Sequence, residues 1–177
     1  AATVGGPAVP PLVVTHELPA WVGALDVVLV SGDDAGDPAL ERAVAAAGRR
    51  GAAVVADVPR EGPVAEADDG GVAWLEPLPY LPPHRGALRH LAAGMAVLTA
   101  LGVPGLDVRA AADAVDVELE GLAPDLATPV NPAKLLATTV AGTDALVWVH
   151  ADPVAEACCA RAVAAFCDAG RVTASST

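Results

Sequence analysis

The feature that most constrains this chain is a unit it uses twice. An apolar β-branched run is followed by a short turn containing Asp-Pro and then an Ala-rich helical pattern, at residues 27–50 and again at 145–169. In the first copy, "DVVLVS" (26–31) is the kind of continuous apolar run that is buried on both faces of a parallel sheet. "SGDDAGDP" (31–38) follows it. Asp37 is placed as a helix N-cap, Pro38 takes the first helical position, and Gly51 stands just past the last turn of "PALERAVAAAGRRG" (38–51). In the second copy, "ALVWVH" (145–150) leads into "DPVAEACCARAVAAFCDAG" (152–170), which again opens on Asp-Pro and ends in Gly. Strands joined through helices in this way run parallel, so the fold class is α/β, and two related halves are expected.

The remaining segments fit the same rhythm. "PLVVT" (11–15), "AAVVADV" (52–58) and "VAWLE" (72–76) read as strands, with a short helical turn around "PVAEA" (63–67). A Pro-rich loop (77–83) interrupts the pattern before a largely apolar helix over 84–102, ended by "VPG" (103–105). Residues 106–122 read as an amphipathic helix with an acidic, solvated face, and 123–130 as a linker. "NPAKLLATTVAG" (131–142) restarts a helix with Asn131 as its cap, and "RVTASS" (171–176) opens one more strand.

Composition narrows the classes of function. A length of 177 residues allows one domain or two small ones. Over half the side chains are apolar and only 3% are aromatic, so a core is available but is built from Ala and Val. No run of about 18 apolar residues is free of charges and breakers, so no membrane partner is expected. With 10 basic against 22 acidic side chains, the formal charge is -12. A nucleic-acid partner would need the opposite sign, and an anionic ligand would need a local basic pocket. Cys158, Cys159 and Cys167 are odd in number, and two are adjacent, so they read as reduced thiols of a cytoplasmic protein, packed as small apolar side chains. Their spacing gives no zinc set, and neither a metal nor a cofactor is expected. "AATVGGPAVPP" lacks the pattern of a signal peptide, and with no initiator Met the chain is expected to begin inside a longer protein.

Three motifs, in order, carry a resemblance to a known family. They are "LPAWVG" (18–23) before the first Asp-Pro unit, "PHRGALRHL" (83–91) opening the long helix, and "NPAK" (131–134) opening the second half. Together they resemble the sugar isomerase (SIS) domain family, most of all the bifunctional phosphoglucose/phosphomannose isomerases. The "GDDAGDP" loop with the later "NPAK" is similar to the divergent TobH-type branch, whose loop reads "GDDPGDP". The resemblance implies a three-layer α/β/α, Rossmann-like parallel sheet in two halves. The first half is expected over 1–103, a helix and linker over 104–130, and the start of the second half over 131–177. Against the family pattern both ends look incomplete: its first strand has no counterpart here, and its catalytic His would fall past residue 177. The exposed sheet edge this would leave is expected to associate two copies.

Aldose–ketose isomerisation moves a proton between adjacent carbons, so it needs a base, an acid and a clamp for the substrate phosphate. The resemblance nominates Ser31, Gly32, Asp33, Asp34 and Gly36, with Asn131 and Lys134, for substrate binding. It nominates Arg85 and Asp168 for catalysis, Asp168 standing where the family carries a Glu base. Most polar neighbours of that base have become Ala, Phe or Cys over 161–171. The loop has also changed. Asp33 and Asp34 lie at the strand's carboxyl end, where α/β ligands bind. A bare carboxylate about 4 Å from a phosphate costs roughly 4 kcal/mol per charge pair at an effective dielectric of about 20. A helix N-terminus returns only about 0.3–2 kcal/mol to an anion. The loop therefore binds a neutral sugar, holds one hydrated Mg²⁺ between adjacent acids, or is a solvated turn. His84 and His90 flank the Arg85 region, His90 as a partly buried, hydrogen-bonded imidazole, and His16 lies before "LPAWVG", within possible reach of the same cleft. Two functions follow from the resemblance. One is a divergent hexose-phosphate isomerase, an intramolecular oxidoreductase when active. The other is a non-catalytic protein that binds a sugar phosphate or nucleotide sugar.

Overall fold

A computed structural model describes residues 11–77, 86–143, 145–168 and 173–176. The chain is mixed α/β and divides into two compact units, Ala1–Asp107 and Val108–Thr177.

The first unit is built around a parallel sheet of β1 (Val27–Ser31), β2 (Ala53–Asp57) and β3 (Val72–Trp74), in that spatial order. Helix α1 (Pro38–Arg49) joins β1 to β2, the short α2 (Gly62–Glu66) joins β2 to β3, and α3 (Gly86–Ala100) follows. Helix α1 starts where its cap dictates. The Asp37 carboxylate accepts from the Ala39 amide at 2.7 Å, and Pro38, with no N–H to satisfy, fills the first turn. It ends at Arg50, and Gly51 then turns the chain with φ +75°, a left-handed conformation that costs glycine nothing and other residues about 1 kcal/mol or more.

The register pairs Val28 with Val54 and Val30 with Ala56, placing these four on one face of the sheet. That face packs on Val44 and Ala47 of α1 and Val64 of α2, with Leu18, Leu40 and Trp74 at its margin. The core is therefore of Val and Ala. Alternation sends Ser31 and Asp57, also paired in register, to the other face. There α3 meets them. Its buried Gly86 and Ala93 and its Arg89 and His90 recur at the three- to four-residue spacing of a single helix stripe.

In the second unit, α4 (Val108–Gly121), a 3₁₀ turn (Thr128–Val130) and α5 (Pro132–Val140) precede β4 (Ala145–Trp148), α6 (Pro153–Asp168) and β5 (Thr173–Ser176). Strands β4 and β5 pair in parallel. Helix α6 is capped by Asp152, which accepts from the Val154 and Ala155 amides at 2.9 Å each. Both Asp-Pro helix starts thus form as the sequence reads.

Some expectations change. "PLVVT" (11–15) forms no strand. It runs exposed, because its apolar side chains find no cover, with Val14 91% exposed. Cys158 lies on the solvent side of α6 rather than packed, Cys159 is half-buried, and the side chain of Cys167 lies outside the described set. No helix among the described residues is long and apolar enough to cross a membrane.

Candidate functional site

The carboxyl ends of β1 and β2 carry a polar cluster built by register. Ser31 and Asp57 are the last residues of their strands and stand side by side, and the Gly32 amide extends the ladder by donating to the Asp57 carbonyl at 3.1 Å. The Asp57 carboxylate is fully buried. A charge taken out of water there costs several kcal/mol unless donors surround it, and three do. Ser31 Oγ donates to Oδ2 at 2.8 Å, Arg89 Nη1 to Oδ1 at 2.8 Å, and His90 Nδ1 lies 2.6 Å from Oδ2.

Arg89 also reaches the loop. Its Nη2 donates to Asp33 Oδ1 at 2.7 Å and to the Gly32 carbonyl at 3.1 Å, so one guanidinium bridges two carboxylates. The other imidazole nitrogen, His90 Nε2, lies 3.4 Å from Asp33 Oδ1. Burial grades outward through the cluster. The Arg89 side chain is 15% exposed, His90 29% and Asp33 35%. The His90–Asp33 pair is therefore the accessible mouth and Asp57 the floor.

Gly86 makes this approach possible. A Cβ there would stand 2.5 Å from Asp33 Oδ1 and 2.8 Å from Oδ2, so the first turn of α3 rests on the Asp33 carboxylate without a side chain between them.

The arrangement is not a nucleophilic triad. In such a triad the His bridges, with one nitrogen on the Ser and the other on the acid. Here Ser31 Oγ, 2.7 Å from Nδ1, and Asp57 Oδ2 share the same nitrogen. What the geometry provides is an imidazole held by a buried carboxylate, with its second nitrogen facing outward beside another carboxylate.

The residues nominated from sequence fall into separate groups. Ser31, Gly32 and Asp33 belong to the cluster. Asp34 and Gly36 face each other instead, the Asp34 carboxylate accepting from the Gly36 amide at 2.7 Å in a local turn. With the Asp37 amide bound to the Asp34 carbonyl and the Ala39 amide to Asp37, three amides of the 31–39 stretch are satisfied within it, and the Gly32 amide is taken by Asp57. Asn131 is buried in the second unit. Its Oδ1 accepts from the Lys134 amide at 3.1 Å, and its Nδ2 donates to the Ala123 carbonyl at 2.9 Å. Lys134 Nζ donates to the carbonyls of Pro124 (2.6 Å) and Leu126 (2.7 Å). Both side chains of "NPAK" thus close the 123–126 loop. Arg85 and His84 lie outside the described residues. Asp168 is the last residue of α6, and its side chain is likewise outside them.

His90 is the half-buried, bonded imidazole expected of it. His16 lines a different feature, a groove of about 220 Å³ along α1 with Arg42 and Arg50. Asp57 and Arg89 were not nominated. The available signals were a carboxylate ending an apolar strand and an Arg-His pair one turn into α3. No group of three or more His, Cys, Asp or Glu side chains among the described residues is arranged to hold a metal. Comparison with protein-family models, curated proteins and solved structures finds no match for this chain.

Proposed function

We propose that this chain is a sugar-isomerase-type α/β protein that binds a hexose or hexose phosphate at the carboxyl edge of its first sheet. The observation that carries the reading is the buried Asp57 carboxylate at that edge, gathering Ser31, Arg89 and His90 beneath the exposed Asp33. A fully desolvated carboxylate contributes little to stability compared with an apolar replacement. Its position where parallel α/β sheets take their ligands gives it a use. Alternation of Val30 and Ser31, with α1 beneath one face and α3 against the other, fits the three-layer half that the family resemblance implies. The "SGDDAGDP" loop serves this site through Asp33 and Gly32, and its Asp33 and Asp34 carboxylates repel an anion, which leaves the substrate phosphate to other groups.

Turnover of fructose 6-phosphate is expected to be feeble. A coupled assay on the protein giving about 10 s⁻¹, the ordinary enzyme scale, would reject the divergent reading. Binding is tested by thermal shift with hexose phosphates. At about 100 times the dissociation constant a ligand adds about 2.7 kcal/mol of stability, and no shift with any of them would reject a sugar site.

A second reading, a non-catalytic sugar-phosphate or nucleotide-sugar binder, is favoured by one contact. Phe166, inside the 161–171 segment that stands for the family's base region, packs on Trp148 with ring centroids 5.3 Å apart. That helix face serves the core. The coupled assay and the thermal shift together separate the two: binding without turnover supports the second.

A further inference from the structure

The protonation pattern of the cluster follows from its donor inventory. A carboxylate only accepts hydrogen bonds. Asp57 Oδ2 has two neighbours, Ser31 Oγ at 2.8 Å and His90 Nδ1 at 2.6 Å, and both must bring a hydrogen to it. Were Nδ1 bare, two lone pairs would oppose each other at 2.6 Å beside a fully buried charge. The neutral imidazole therefore carries its proton on Nδ1. This leaves Nε2 as an acceptor, 3.4 Å from Asp33 Oδ1. The mouth of the site then presents two acceptors side by side, one of them negative, while the guanidinium of Arg89 is already shared between Asp57 and Asp33.

We infer that His90 is the ligand-facing group of this site, with Asp57 as its positioning residue, and that the mouth takes hydroxyl donors of a neutral sugar or polyol end, not a phosphate. A vicinal diol suits it: one hydroxyl donates to Nε2 and its neighbour to the Asp33 carboxylate. An anion meets a carboxylate and a lone pair. This deepens the sugar-site reading above and rests on it for the class of ligand, while the tautomer of His90 stands by itself.

The test is a long-range proton–nitrogen NMR correlation on the ligand-free chain, about two pH units above the ordinary imidazole value of about 6.5, with His90 assigned by loss of its signals in H90Q. The expected pattern is a protonated Nδ1 and a bare Nε2, opposite to the tautomer that free imidazoles favour. In D57N the amide oxygen stays on Arg89 and the amide nitrogen turns to Nδ1, so His90 moves its proton to Nε2. A native chain protonated on Nε2 overturns the inference whether or not D57N folds, and so does a folded D57N with an unchanged tautomer. The ligand arm uses D-glucose, glucose 6-phosphate and inorganic phosphate. Both sugars are expected to shift the His90 resonances and inorganic phosphate to leave them in place, with D33N weakening glucose binding roughly tenfold, the loss of one hydrogen bond to a charged group. A response of His90 to inorganic phosphate, or sugar binding that bypasses His90, overturns the inferred ligand class and spares the sugar-site reading. Silence from both sugars throughout the chain removes that reading and the ligand class together, leaving the tautomer to decide the role of Asp57.

Discussion

Ser31 and Asp33 in the first unit and Asn131 and Lys134 in the second were nominated for the same work, and the fold uses them differently. In the second unit, Asn131 and Lys134 direct their polar atoms at backbone: the Lys134 amide and the carbonyls of Ala123, Pro124 and Leu126. Such bonds fix a loop. In the first unit, Ser31, Asp33, Asp57, Arg89 and His90 direct theirs mainly at one another, across sequence separations of 26 to 59 residues, and an imidazole nitrogen and a carboxylate remain at the surface. Side chains bonded to local backbone make structure. Side chains bonded to each other at a sheet edge, with one atom left facing out, make a site.

The largest expected effect breaks the cluster. R89A strands a fully buried carboxylate and frees a second one, and should cost about 3–5 kcal/mol by urea unfolding, with R89M as the control that keeps the apolar stem. A loss below about 1 kcal/mol, the scale of a surface ion pair, would place Arg89 with the exposed cations and dissolve the contrast. G86A sharpens the same contrast with one methyl group. Its Cβ meets the Asp33 carboxylate at 2.5 Å, so it should destabilise by roughly 1–3 kcal/mol. G94A, eight residues on in the same helix with nothing within 4 Å, should stabilise by about 0.5–1 kcal/mol. Equal signs for the two would mean that α3 does not rest on Asp33. N131A, which removes a cap and a buried donor, should cost about 1–2 kcal/mol and leave the His90 resonances and any glucose response unmoved. A loss of sugar binding in N131A would return "NPAK" to the site.

Much of the framework was legible. Asp37-Pro38, Asn131-Pro132 and Asp152-Pro153 each mark a helix start because capping is a local matter settled within three residues. The parallel strands were legible because their runs are apolar with no polar alternation to confuse them, although β1 is not buried on both faces as expected: of its residues only Val30 is buried. The cluster was only half legible. Ser31 and Asp33 stand at a strand end, which position alone flags. Asp57 sits inside "AAVVADV", which reads as core, and its partners lie 32 and 33 residues downstream. No local rule joins them. It takes the β1–β2 register and the placement of α3. Nor are Asp33 and Asp34 the equal bare charges that their adjacency suggests. Arg89 pairs with the first, and a backbone amide occupies the second. "PLVVT" shows the converse failure, an apolar run that matches a strand and is left uncovered at the surface.

A third polar group tests the distinction at its smallest scale. Asp68 lies between α2 and β3 and behaves like Asn131. Its Oδ1 accepts from the amides of Gly70 (2.8 Å) and Val72 (3.1 Å), and its Oδ2 from the Trp74 indole N–H at 2.9 Å. The indole bond is the main force holding its pKa below the ordinary carboxylate value of 3.8; the backbone amides help, and desolvation opposes them. A carboxyl with a depressed folded-state pKa contributes stability that is present above the unfolded value, about 3.9, and is lost as pH falls through the folded value. Carbon-detected NMR titration should therefore show Asp68 still ionised below 3.8, the ordinary carboxylate value, and unfolding midpoints should fall below about pH 4 partly on its account. W74F deletes the donor and keeps most of the ring, so the Asp68 titration should move up toward 3.8 and that part of the acid loss should shrink. Because Asp68 serves its own turn, the same variant should leave the His90 tautomer as it was. An altered His90 signal in W74F would mean that the turn and the site are one network.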